Sequence, residues 1–288
     1  MRKAMASDRV LVGTSRSLFL VDIETSEIER VESKYGLYYG ISWDDEQIFV
    51  SARWYPWYMP TSHIERPRLL TFDGRMKRAS IREFQVPAGG VHQLIHSGDT
   101  IFCTASAEDG VVISKDGKDE IWYPSKDPGD HGRDVHHFNS VWINGDRLFL
   151  VGHNNGPSEV WEFTYPDREF VRRTIVGKYV HNVWPYKGGL AVCNSGNGRL
   201  EALDGTQIVE TGGFPRGVAI GPERTVVGVS ARASRSNRWL TIGKLQVYDP
   251  DWKLMKTISL GVSGGVCEIR NVDCPDAAHI DRLAPIAR

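Results

Sequence analysis

A short strand pattern that carries polar residues near its start recurs along this chain. The four copies are Val91-His92-Gln93-Leu94, Phe138-Asn139-Ser140-Val141, Val180-His181-Asn182-Val183 and Val266-Cys267-Glu268-Ile269. The first three each precede a second apolar strand at a similar spacing, and self-similarity at a fixed period is typical of repeat folds. The polar residues therefore occupy equivalent places in repeated units, and repetition around an axis brings them together.

The second half of each unit is an alternating strand, an Asp-containing turn and another strand. Asp73-Gly74, Asp116-Gly117 and Asp204-Gly205 are such turns, and Asp-Gly between alternating strands is a strong hairpin signal. Five whole copies are visible. A sixth is split, because residues 9–31 supply three strands without an inner one, and residues 266–272 resemble an inner strand with nothing after it.

These repeats predict an all-β fold, a six-bladed β-propeller of four-stranded blades that occupies residues 1–288 as a single domain. The C-terminal strand is expected to pair with the N-terminal strands and close the ring, which leaves only short, protected edges. A β-sandwich with regular turns is the alternative fold.

The composition and charge of the chain limit the classes of partner that it can bind. The chain has 288 residues and a formal net charge of −1, with no basic stripe, which argues against nucleic acid as a partner. It has no apolar run of membrane-spanning length and no apolar stretch of a signal peptide near Met1. We therefore expect a cytoplasmic protein with a small-molecule substrate and no membrane partner.

Polar residues at the starts of the inner strands form the candidate site. We expect them to converge at the mouth of the central channel, and three interpretations stay open. In the first, the side chains bind a divalent cation, with zinc, manganese or iron favoured over calcium. The candidate metal ligands are His92, His137, Asn139, His181 and Glu268.

The second interpretation is a metal-free site in which a histidine or a tyrosine moves a proton and an arginine holds a substrate anion. The candidates for these catalytic roles are His136, Tyr39 and Arg216. In the third interpretation the channel is simply wet, and the polar groups bind water and backbone.

A second set of polar residues follows the second strands, whose ends lie on the same face as the inner-strand starts. Arg53 and Arg232 are candidate anion ligands, although solvated surface arginines would give the same pattern. Trp54 and Trp57 begin an aromatic, proline-stiffened loop that suits a ligand wall, a blade-edge contact or a dimer contact. Asn155 and Asn194 are candidate substrate contacts in segments whose composition also suits plain turns.

The stretch from Leu190 to Asp204, Leu-Ala-Val-Cys-Asn-Ser-Gly-Asn-Gly-Arg-Leu-Glu-Ala-Leu-Asp, resembles one blade of an NHL-type repeat. The six-blade plan with its closing strand is similar to the group of gluconolactonase-like (senescence-marker-protein-like), paraoxonase-like and strictosidine-synthase-like propellers. The resemblance to the first two implies a divalent cation held in the channel, with Asn139 and Glu268 as matching ligands, and lactone or ester hydrolysis. His92 and His181 stand where those families usually carry Asn or Asp, which favours a softer metal than calcium.

The function predicted from sequence is therefore a small-molecule enzyme with a divalent metal at the channel mouth. It would act on a polar or anionic substrate by hydrolysis, elimination or isomerisation. The alternative is a non-catalytic propeller that binds a sugar, peptide or protein through its channel face and aromatic loop.

Overall fold

The structure, a computed structural model, describes residues 8–34, 36–54, 66–154, 156–279 and 282–286. These residues form 24 strands in six four-stranded antiparallel sheets, and one short 3-10 helix at Arg235–Leu240. Trp57 and Asn155 lie outside the described residues. No helix in the described ranges is long and apolar enough to cross a bilayer.

The six sheets are the blades of a propeller, numbered in chain order. Blade 1 contains β1 (Arg9–Thr14), β2 (Leu18–Asp22), β3 (Ile28–Glu32) and β24 (Val266–Asn271), and blade 2 contains β4 (Tyr38–Trp43), β5 (Ile48–Trp54), β6 (Arg66–Phe72) and β7 (Arg78–Glu83). Blade 3 contains β8 (Val91–Ser97), β9 (Thr100–Ala105), β10 (Gly110–Lys115) and β11 (Lys118–Trp122), and blade 4 contains β12 (Phe138–Asn144), β13 (Arg147–Gly152), β14 (Pro157–Thr164) and β15 (Phe170–Lys178). Blade 5 contains β16 (Val180–Tyr186), β17 (Gly189–Asn194), β18 (Arg199–Ala202) and β19 (Gln207–Glu210), and blade 6 contains β20 (Phe214–Ile220), β21 (Thr225–Ser230), β22 (Gly243–Tyr248) and β23 (Leu254–Ser259).

Blade 1 closes the ring as the split repeat predicts. The C-terminal strand β24 is its innermost strand and pairs antiparallel with β1, with Val12 opposite Ile269 and Val10 opposite Asn271. A fully buried apolar cluster that includes Val10, Val12 and Ile269 packs against strands of blade 6. Blade 1 therefore combines three strands from residues 9–32 with one strand from residues 266–271. The prediction of a closed six-bladed propeller is confirmed.

Apolar side chains between neighbouring blades form the core, and glycine allows the inner strands to approach closely. Gly217 in β20 has φ +78°, and a Cβ there would lie 2.8 Å from the backbone nitrogen of Ile269. A Cβ on Gly40 in β4 would meet the backbone of β8 in the same way. Side chains at these two positions would push adjacent inner strands apart.

The segment after β24 covers the far end of the channel, opposite the starts of the inner strands. The indole Nε1 of Trp142 donates to the carbonyl oxygen of His279 over 3.1 Å, and that of Trp43 donates to Arg282 over 3.2 Å. The Asp276 carboxylate accepts backbone N–H bonds from Ile220 and Asn271 at 3.0 Å. These contacts fasten the segment to four inner strands, so a ligand reaches the channel from the other end.

Candidate functional site

All six inner strands contain a register irregularity near their start, where the polar residues stand. Across β8 and β9, Val91 pairs with Ala105 and Leu94 pairs with Cys103, so two residues of β8 oppose one of β9. The extra residues in the six inner strands are Tyr39 and Gly40, His92 and Gln93, Asn139, Asn182, Arg216 and Gly217, and Cys267. A β-bulge releases side chains from strict alternation and re-aims them. The bulges therefore direct polar groups into the channel instead of between blades.

Four imidazoles form a row across one side of the mouth, and we call His92, His137, His153 and His181 the histidine row. The ring centroids of His92 and His137 are 5.3 Å apart, those of His137 and His153 are 4.9 Å apart, and those of His153 and His181 are 5.6 Å apart. The Tyr39 ring lies 4.5 Å from His92 at one end of the row. The structure thus brings three predicted histidines and the predicted Tyr39 together, and it adds His153.

Arginines surround the same opening. The guanidinium carbon of Arg216 lies 4.8 Å from the centroid of the Tyr39 ring, and that of Arg53 lies 5.4 Å from it. A pocket of about 40 Å³ at the mouth includes Arg216, Arg232 and Arg238 in its lining, with no carboxylate among its described lining residues. The mouth is therefore strongly cationic, although the whole chain has a net charge of only −1.

Arg216 is the most constrained of these cations. Only 7% of its surface is exposed, and it forms no hydrogen bond or ion pair with the described residues. It lines both the mouth pocket and a narrower space beneath it that Asn182 and Glu268 also line. The guanidinium is buried without a hydrogen bond or salt bridge, and the nearby Glu268 carboxylate is already paired with Arg270, so an anion in the pocket is favoured.

Hydrogen bonds fix the tautomers of two histidines in the row. His92 Nδ1 lies 2.6 Å from the Gly90 carbonyl oxygen, which only accepts, so Nδ1 carries the proton. Ser195 Oγ donates to the Pro215 carbonyl over 2.6 Å and therefore accepts from His181 Nδ1 over 2.9 Å. Each imidazole then has an unprotonated Nε2. Burial, followed by the charge of Arg216, lowers the pKa of both histidines well below the usual value, so both are neutral.

His137 belongs to a carboxylate–imidazole pair. Its Nδ1 lies 2.6 Å from Asp134 Oδ1, and its side chain is 12% exposed. The backbone nitrogen of His137 donates to Asp109 over 2.8 Å, and His137 has φ +54°. Asp134 thus orients the ring, which leaves Nε2 as the atom that can exchange a proton beside the row. Burial and the neighbouring His137 lower the pKa of His153 to about 3.

Glu268 and Asn139, two of the predicted metal ligands, are engaged below the row. The Glu268 carboxylate accepts from Gln93 Nε2 over 2.7 Å and pairs with Arg270 over 3.1 Å, and both residues of this ion pair are 1% exposed. Asn139 Nδ2 donates to the Val180 carbonyl over 2.9 Å. Within the ranges described, no group of three or more His, Cys, Asp and Glu side chains is arranged to hold a metal ion. The metal site stays a prediction.

Two other predicted site residues have structural contacts away from the row. The His136 ring packs on Trp161 and Phe138, with centroids 4.9 and 5.4 Å apart, and Nε2 lies 3.2 Å from Asp130. The Asn194 amide donates to Glu201 over 2.8 Å, and its oxygen accepts from the backbone nitrogen of Lys178 over 3.0 Å. These contacts hold the His136 ring against the blade 4 core and use Asn194 inside blade 5.

Comparison with known proteins supports the architecture alone. No known protein family matches the sequence, and no curated protein matches it. A chain of the nidogen/laminin complex superposes with a TM-score of 0.64 at 12% identity, covering 92% of this chain and 98% of that chain. A protein of unknown function from Bacteroides caccae gives 0.64 at 13% identity with the same coverage. At this identity the likeness shows the propeller fold. The narrower resemblance to the gluconolactonase-like group is not supported by these matches.

Proposed function

We propose that the channel mouth binds a small anionic molecule, and that the protein is an enzyme that transfers a proton to or from it. The observation that carries the proposal is Arg216, a buried guanidinium that forms no salt bridge or hydrogen bond with the described residues. Carboxylate or phosphate oxygens match the fork of an arginine bidentately, and a bound anion would supply the hydrogen bonds that this guanidinium lacks.

The neighbouring cations support the same ligand. Arg232 and Arg238 line the mouth pocket with Arg216, and Arg53 approaches the Tyr39 ring from the adjoining strand. Several cations and no carboxylate in the lining of one small pocket concentrate anions. Charge that develops on a substrate oxygen during a reaction would be stabilised by the same groups.

The histidine row supports proton transfer. His137 is held by Asp134 at 2.6 Å, the arrangement that orients a general base or acid. Neutral His92 and His181 present unprotonated Nε2 atoms beside it. Removal of a proton next to a substrate carboxylate, as in elimination or isomerisation, is the reaction class that these groups fit best, with hydrolysis by an activated water as the second.

A divalent metal is the second candidate occupant. Histidine ligands commonly donate one ring N–H to a carbonyl or a carboxylate, as His92 and His137 do, and bind metal through the other nitrogen. Glu268 is committed to Arg270, so imidazoles of the row are the better ligands. A bound cation would supply Lewis-acid chemistry to the anion held by Arg216.

The non-catalytic alternative is that the mouth only binds a sugar, peptide or protein. The nidogen structure was determined as a complex with laminin, but at 12% identity its partner gives no information on the ligand of this chain. The inward-directed histidine row favours chemistry over plain docking. The predicted cytoplasmic location stays part of the proposal.

Isothermal titration with inorganic phosphate, malonate and citrate tests the anion site. We expect saturable binding to the wild type, a loss of at least tenfold for Arg216→Gln, and little rescue by Arg216→Lys because an ammonium lacks the guanidinium fork. Arg172→Gln is the matched control, since Arg172 is a largely exposed arginine paired with Glu162 on an outer strand. Equal affinity of Arg216→Gln and wild type would contradict the proposal. Metal analysis of protein purified without chelating resin decides whether a divalent metal also occupies the mouth: stoichiometric metal supports it, and its absence leaves the anion as the occupant.

A further inference from the structure

A second, larger cavity adjoins the mouth on the same face. It has a volume of about 1010 Å³ and lies between blade 1, the end of β5 and the segment that follows β23. Ser15 lines both this cavity and the mouth pocket. Arg53 lines the cavity while its guanidinium carbon lies 5.4 Å from the centroid of Tyr39, a residue of the mouth. One ligand can therefore contact both spaces.

The side cavity is as cationic as the mouth. Arg16, Arg30, Lys34 and Arg53 line it, and its described lining contains no Asp or Glu. Within the part of the chain that the structure describes, neither Arg30 nor Lys34 forms an ion pair. Charge complementarity therefore favours an anion along the cavity as well as at its inner end.

The cavity lining combines cations from separate segments with aromatic and aliphatic side chains. Arg16 is in the turn after β1, Arg30 is in β3, and Lys34 follows β3, so three segments of blade 1 carry positive charge. Trp54 and Trp239 contribute aromatic side chains. A nucleoside diphosphate carries its charges on adjacent phosphates, whereas a chain of acidic sugars alternates ring faces, which pack on aromatic side chains, with separated carboxylates.

We infer that the ligand is an oligosaccharide of acidic sugars, whose terminal unit enters the mouth at Arg216 while the following units occupy the side cavity. This inference rests on the proposed function and extends it to a substrate class. The cavity is large enough for several units, since ligand pockets of roughly 300–1,000 Å³ enclose most of a drug-sized molecule. Terminal carboxylate recognition and chain recognition then use different residues.

Isothermal titration with galacturonate, trigalacturonate, the neutral trisaccharide cellotriose and triglutamate tests the inference. We expect trigalacturonate to bind at least tenfold more tightly than galacturonate, and both neutral sugar and peptide to bind more weakly than trigalacturonate. The double variant Arg30→Gln/Lys34→Gln should lose the tenfold gain from chain length and keep the affinity for galacturonate. Arg216→Gln should weaken both acidic sugars.

The outcomes separate this inference from the proposed function. Equal affinity for galacturonate and trigalacturonate, with both dependent on Arg216, would overturn the inference and leave the anion site in place. Tighter binding of triglutamate than of trigalacturonate would rule out an oligosaccharide as the ligand and assign the cavity to an acidic peptide. Equal binding of cellotriose and trigalacturonate would overturn the role of the cavity cations. Failure of every anion to bind would contradict both proposals.

Discussion

The neutral state of His181 makes this residue one of the buried histidines that lower the stability of the protein at acid pH. Burial, followed by the charge of Arg216, lowers its pKa well below the usual value, whereas in the unfolded chain it is about 6.5. Below about pH 6.5 the unfolded chain binds a proton that the folded protein does not bind. The stability contributed by neutral His181 is therefore present above that pH and is lost as the pH falls towards the folded pKa. At pH 5 the loss is about 2 kcal/mol, because 1.5 pH units correspond to roughly that energy.

The substitution His181→Gln removes the titration and keeps an N–H donor for Ser195. Urea unfolding followed by tryptophan fluorescence, at about pH 8 and about pH 5, gives the free energy of unfolding of both proteins. We expect the difference between variant and wild type to move by about 2 kcal/mol in favour of the variant on going to the lower pH. The measurement at the higher pH is the control for the cost of the substitution itself. An identical difference at both pH values would refute the claim that His181 is held neutral.

Two further predictions concern the ring. Gly217→Ala should lower the free energy of unfolding by about 3 kcal/mol, because of its positive φ and a contact of the new Cβ with the β24 backbone. Gly188→Ala, at the same φ of +78° but with nothing within 4 Å, should lower it by about 1 kcal/mol. Equal melting temperatures of the two variants would contradict the close approach of β20 and β24. Truncation after Gly264 removes the innermost strand of blade 1 and the segment over the far end of the channel, so circular dichroism should show no cooperative melting. A truncated chain that melts near the wild-type temperature would contradict the closed ring.

The fold was predictable because its signals are local and repeated. Asp-Gly turns and short alternating strands define hairpins within a few residues, as at Asp116 and Asp204. The missing inner strand near the N terminus and the unmatched strand at Val266 together predicted the closure of blade 1, which β24 confirms. The repeat also indicated the register of the mouth, since His92, His181 and Arg216 stand at equivalent inner-strand bulges.

The details of the site depend on contacts that sequence spacing does not specify. His153 follows a second strand in a segment that resembles an ordinary turn, and only the ring geometry brings it to His137. His136 and His137 are adjacent in sequence, but their rings make different contacts: His136 packs on Trp161, and His137 lies beside His92. His137 has a positive φ, which the sequence does not indicate. The segment over the far end of the channel has no periodic pattern to indicate its place.

The ion pair between Glu268 and Arg270 could be anticipated from the sequence. Residues two apart in a strand lie on the same face, so Arg270 was the natural partner of the Glu268 carboxylate. The repeated pattern Val266-Cys267-Glu268-Ile269 ends one residue before Arg270, so Glu268 has no counter-charge within it. The opposite charge of Arg270, two residues along the strand, weakens the prediction that Glu268 is a metal ligand.

Nuclear magnetic resonance of the imidazole nitrogens during a titration with inorganic phosphate tests the central claim most directly. Before phosphate is added, His92 and His181 should show the neutral form with the proton on Nδ1, as their bonds to Gly90 and Ser195 require. Phosphate should then produce saturable shifts in the histidine row and none at His279, which is buried at the far end of the channel. Resonances of the row that do not respond to phosphate, or a response of equal size at His279, would contradict an anion site at the channel mouth.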